Sequence, residues 1–165
     1  MTLLILGLIL WIAAHYFKRL APDARARLGD PGKGIIAVLI VASVVLMVLG
    51  YRAADFIPVW TPPPWFTGLN NLLMIAALWI YGSSAAKGAK AWPAYKTRHP
   101  QLLGFKLWAI AHLLVNGDLA AIVLFGGLLA WAVAQVILIN RAEPDWTPPA
   151  PQAARPTSVL RSSRW

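Results

Sequence analysis

Two histidines carry the chemistry this chain offers. Leu10-Trp11-Ile12-Ala13-Ala14-His15 recurs as Leu107-Trp108-Ala109-Ile110-Ala111-His112, each copy inside a strongly apolar run. A neutral imidazole is a common metal ligand, and one buried without a partner is expensive. Two of them on different helices, each preceded by a small alanine and by a tryptophan one turn back, suit one flat metallocofactor gripped from both faces. Asp and Glu number only six and cysteine is absent, which removes thiolate zinc, iron-sulfur clusters, disulfides and cysteine nucleophiles. A lone zinc normally takes four ligands and magnesium takes oxygens, so a b-type haem is the group best matched to two imidazoles in an apolar pocket. Lys18, Arg19, Arg98 and Lys106 then supply cations for its propionates, and Trp11 and Trp108 pack against its edge.

The elements that must position these residues are membrane helices. Apolar residues make up 59% of the chain against 13% charged, and the mean hydropathy is +0.61. Five apolar runs, roughly residues 2–17, 34–51, 69–84, 100–115 and 118–139, predict an all-α polytopic bundle of about five transmembrane helices. Residues 1–142 form this membrane domain, and the Pro/Arg-rich segment 143–165 reads as a disordered cytoplasmic tail.

The net charge of +9 has a topological reading. Lys18, Arg19, Arg25, Arg27 and Lys33 fill the first connection, Lys87, Lys90, Lys96 and Arg98 the third, and Arg141, Arg155, Arg161 and Arg164 the tail. Under the positive-inside rule the N-terminus is outside and the basic loops and tail are cytoplasmic, as in a multi-pass membrane protein. No aromatic-basic module accompanies the charge, so nucleic acid is not an expected partner and the lipid bilayer is. The first run lacks a basic segment before it and reads as an anchor rather than a cleaved signal. Trp60, Trp65, Trp92 and Trp146, outside the runs, are placed for the headgroup region.

Punctuation completes the frame. Gly29-Asp30-Pro31-Gly32 precedes a second helix expected from Gly34, and Pro58 with Pro62-Pro63-Pro64 forces an extended external loop. Asn70 and Asn71 are expected to cap the third helix. His99 is expected as a cap or headgroup contact before Pro100, and Gly117 and Asp118 as a left-handed cap and an N-cap. Gly126-Gly127 marks close helix packing. With Lys18 and Lys106 taken as surface markers, His15 and His112 lie about 4.5 and 9 Å below the cytoplasmic surface, both in the inner leaflet.

Leu10 to His15 with Lys18-Arg19, then Arg98-His99-Pro100-Gln101-Leu102-x-Gly104, Leu107 to Leu113, Asn116-Gly117-Asp118 and Leu124-Phe125-Gly126-Gly127, resemble in their order the NnrU family of bacterial integral membrane proteins, over residues 1 to about 142. The resemblance implies an association with denitrification, through nitrite and nitric oxide reduction. A relative, the plant and cyanobacterial zeta-carotene isomerase, shares the Arg-His-Pro and Leu-Trp-x-x-Ala-His blocks and is a haem b protein. By that likeness His15 and His112 are iron ligands. Ala109 stands where the isomerase has a cysteine, which leaves no thiolate for a ligand switch. Arg98-His99-Pro100 is also similar to a block of the membrane methyltransferases of isoprenylcysteine and phospholipids, of whose downstream acidic motif only Arg141 and Glu143 remain.

Two classes of function follow. In one, a bis-histidine haem performs redox or isomerase-type chemistry, with a small gas or a polyene as ligand. In the other, the bundle is a non-catalytic accessory or assembly factor for a membrane reductase. No carboxylate pair, nucleophile-base pair or phosphate loop is present, and no residue is assigned a catalytic role.

Overall fold

A computed structural model describes residues 1–84 and 92–148. The described residues are helical, without a β-sheet: α1 (Thr2–Leu20), α2 (Pro22–Arg27), α3 (Pro31–Arg52), α4 (Phe66–Ser84), α5 (Pro100–Val115) and α6 (Leu119–Ala142). Three of these, α1, α3 and α6, are long and apolar enough to cross a membrane. The exposed apolar surface has the distribution a lipid-facing protein needs: Val38, Val41, Leu72, Ile75 and Leu78 are each more than 60% exposed. Buried positions are instead dominated by alanines, which let helix backbones approach where lipid supplies no hydrophobic drive for association.

Proline and charge set the helix ends. Pro22, Pro31 and Pro100 each occupy a first helical turn, where a missing N–H has no partner to lose. Lys18 and Arg19 close α1, Arg52 closes α3 and Arg141 closes α6, each favourable beside a helix C-terminus. The first connection is more ordered than its charge suggests, since Pro22 and Asp23 start the short α2. Pro31 initiates α3 three residues before the expected Gly34. Asn70 and Asn71 are not caps: α4 begins at Phe66, and the Asn70 amide donates to the Asn71 carbonyl oxygen at 3.1 Å.

Two antiparallel hairpins, α1 with α3 and α4 with α5, are joined through α6. Gly50 makes the first hairpin possible, because a Cβ there would overlap the Leu4 backbone. Leu4, Leu8, Met47, Ala120 and Leu128 form the central cluster. Packing of α6 follows two registers. Against α5 it runs antiparallel, pairing His112 with Phe125, Phe105 with Trp131, and His99 with Asn140. Against α1 it runs parallel, pairing Leu8 with Gly127, His15 with Trp131, and Arg19 with Glu143.

The bundle therefore has a basic end, with Lys18, Arg19, Arg98 and Arg141, and a proline-loop end. At the latter the extended segment folds back onto the α5–α6 turn: the Val59 and Trp60 N–H groups donate to the Gly117 carbonyl at 2.8 and 3.1 Å, and Leu119 N–H donates to Ile57 O at 2.8 Å. Gly117 is required by this contact rather than by a left-handed backbone, since a side chain would collide with the Trp60 carbonyl. Asp118 is the expected N-cap, accepting from Ala121 N–H at 2.9 Å. Of the expected disordered tail, residues 143–148 are described and non-helical, and 149–165 lie outside the described residues, as do Lys87 and Lys90.

Candidate functional site

His112 projects from the last turn of α5. Its ring lies flat on Phe125, with centroids 4.3 Å apart and planes 5° from parallel, while Trp108 from the preceding turn meets its edge at 5.0 Å. Phe125 reaches this position from a π-helical turn, Ile122–Gly126, that interrupts α6. Single π turns inside α-helices concentrate at functional sites, because they re-aim one side chain without breaking the helix. No hydrogen bond forms at either His112 ring nitrogen among the described residues, although Asn116 bonds the His112 carbonyl twice. The ring faces a cavity of about 390 Å³ that also touches Met47, Tyr51, Arg52, Trp108 and Phe125. Val44 and Val48 form its α3 wall and are themselves 41% and 48% exposed, so the cavity lies directly beneath the lipid-facing surface.

His15 occupies a different place. Its Nδ1 is 2.8 Å from the Trp11 carbonyl, and its ring packs against Trp11 at 4.1 Å and edge-on to Trp131 at 4.7 Å. It borders a second cavity of about 280 Å³, shared with Tyr81, Gln101 and Trp131. Trp11 and Phe105 line both spaces, and their rings run nearly parallel at 6.5 Å, forming the partition between them.

One iron between His15 and His112 does not fit this packing. Two imidazole nitrogens sharing a metal at bonds of about 2 Å lie within roughly 4 Å of each other. Along α6, however, His15 is level with Trp131 and His112 with Phe125, six residues apart, or roughly 9 Å along the axis. Counting depth from Lys106 misplaces His112: α5 starts at Pro100, twelve residues before it, so His112 belongs near the proline-loop end at about 18 Å from the basic end. Nor do the α1 and α5 backbones pack closely; the Trp11 and Phe105 rings face each other between them with centroids 6.5 Å apart.

The remaining expected residues divide accordingly. Lys18, Arg19 and Arg98 belong to the basic end, on the side of His15 and remote from His112. Arg98 donates to the Glu143 and Pro144 carbonyls, and Arg19 pairs with Glu143 at 3.7 Å. Lys106 is half-buried midway along α5, with no ion pair among the described residues. Trp11 and Trp108 each pack on their own histidine and both border the larger cavity. His99 makes no side-chain cap bond to α5 and is joined to Asn140 Oδ1 at 2.8 Å instead.

Arg52, Tyr51, Phe125 and Trp131 join the two sites without a cue in the sequence. Arg52 has the look of a loop charge, and the other three of ordinary apolar helix surface. A π turn has no residue signature, although the Leu124-Phe125-Gly126-Gly127 block marks its position.

Fold and cavities define an all-helical membrane protein with few buried polar groups among the described residues. The NnrU protein family matches residues 3–162, nearly the whole chain, and the chain belongs to that family. No curated protein and no solved structure matches it.

Proposed function

We propose that this NnrU-family protein works within the bilayer in nitrite and nitric oxide metabolism, holding a planar lipid-soluble group against His112. The supporting observation is the pairing of an imidazole without a hydrogen bond among the described residues with an apolar cavity walled by Trp108 and Phe125. In this reading the chain crosses the membrane five times, with the N-terminus and proline loop outside and the basic end in the cytoplasm. The antiparallel hairpins and the clustering of cations at one end support that orientation.

Haem b fits the donor set at this cavity through one imidazole. His112 would hold its iron through a ring nitrogen, the aromatic walls suit a flat ring, and Arg52 at the rim would meet its carboxylates. Among the described residues Arg52 makes no ion pair that would compete. Bound there, such a group would supply the iron chemistry that takes up a diatomic gas. The chain's own part is to orient and exclude. Phe125 fixes the imidazole plane, Trp108 packs on the edge of that ring, and Val44, Val48 and Leu124 give the cavity an apolar wall.

The test is optical. Nitric oxide added to reduced, purified protein should shift the Soret band at once and stoichiometrically. An unchanged band, or no Soret absorption in protein purified from haem-replete cells, removes this reading and leaves an accessory role for the bundle.

A further inference from the structure

The smaller cavity at His15 is a second, chemically different site, and we propose that it binds the hydroxyl-bearing ring of a membrane quinol. Because the Trp11 carbonyl can only accept, His15 Nδ1 must carry the proton, and Nε2 is then a lone-pair acceptor with no partner among the described residues. An occupant that presents a donor there would complete the hydrogen bonding of His15.

It would also present acceptors. The indole N–H groups of Trp11 and Trp131 are buried with no hydrogen-bond partner among the described residues, and Trp131 is only 7% exposed. An unmet buried donor is unfavourable by about 1–3 kcal/mol, and the two rings that carry these donors both line the cavity at His15, so a small turn of either ring would bring its N–H to an acceptor held there. The walls specify the rest of the molecule. Trp11, Tyr81, Phe105 and Trp131 line the space with Leu102 and a single amide, Gln101, a mostly aromatic wall that favours a flat ring over a hydrated ion. A quinol has all three features: a hydroxyl to donate to Nε2, ring oxygens to accept from the indoles, and a ring to lie among aromatics. The bilayer delivers it directly. Binding at His15 is independent of what His112 holds, because the Trp11–Phe105 partition separates the two spaces.

The experiment uses full-length protein in phosphatidylcholine nanodiscs, with decylubiquinol and its dimethyl ether as probes and empty nanodiscs as reference. Saturable excess binding of the quinol, roughly tenfold weaker for the ether, is expected from the loss of the donated hydrogen bonds. His15→Leu and Trp131→Phe should each weaken quinol binding about five- to tenfold, with Leu72→Ala, on the exposed face of α4 and outside both cavities, matching the parent. Equal affinity for the two probes, no saturable binding of either, or an effect of Leu72→Ala as large as that of His15→Leu would overturn the proposal. The two-probe comparison on the parent protein stands even if a variant fails to fold.

Discussion

The imidazole of His112 is stacked on the ring of Phe125, 4.3 Å between centroids and 5° from parallel, across the α5–α6 interface. That contact joins a histidine without a hydrogen bond among the described residues to the turn of α6 with π geometry, so the two irregularities have a common explanation. Replacing Phe125 by Leu keeps an apolar side chain but removes the flat face. Stability in detergent should fall by less than about 1.5 kcal/mol, while haem retained per protein should fall at least twofold. A Phe125→Leu protein with the parent's haem content and Soret maximum would show that the stack does not orient the imidazole.

Glycine substitutions should separate by position. At Gly50 an added methyl meets the Leu4 backbone, which cannot swing aside, so Gly50→Ala should lower stability by about 1–3 kcal/mol through overpacking. A methyl added at Gly126 meets nothing within 4 Å, and Gly126→Ala should be neutral or stabilising by up to about 1 kcal/mol. Thermal unfolding of both proteins in one detergent decides the matter, and a reversed order would contradict the α1–α3 packing.

Asp118 tests the start of α6, one turn before the π geometry. It is 7% exposed and its carboxylate caps α6 through Ala121 N–H, immediately before the π turn. Asp118→Ala should cost about 1 kcal/mol, with Asp118→Asn close to the parent because an amide oxygen caps equally well. Denaturant midpoints measured together for the three proteins would show it.

At the basic end the strap after α6 is held by backbone contacts more than by charge. Glu143 is 64% exposed in its pair with Arg19, so Glu143→Gln should change stability by less than about 1 kcal/mol. Arg98→Ala removes the donors to two successive carbonyls and should speed proteolytic cleavage near residue 143 several-fold. Equal cleavage rates would mean that Arg98 does not tether the strap.

Much of the fold is legible in the sequence because apolar runs and proline punctuation act locally. The runs anticipate the five long helices, Pro100 marks the start of α5, and Asp118 announces its cap. The site is misread where a local cue stands in for a global distance. Lys106 taken as the membrane surface brings His112 to the wrong end, since a lysine in mid-helix marks no boundary. Repetition of the Trp-x-x-Ala-His pattern describes two similar helix faces correctly without saying that the faces meet. What separates them is the Trp11–Phe105 partition and the pairing of each helix with a different neighbour, which are properties of packing.

The most direct measurement is haem content by pyridine haemochrome on parent, His15→Ala and His112→Ala proteins purified side by side. With one imidazole holding the cofactor, His112→Ala should lose nearly all of it and His15→Ala should keep the parent's content. Loss from both variants alike would restore a site shared by the two histidines and contradict their separation, and full retention in His112→Ala would remove haem from the larger cavity.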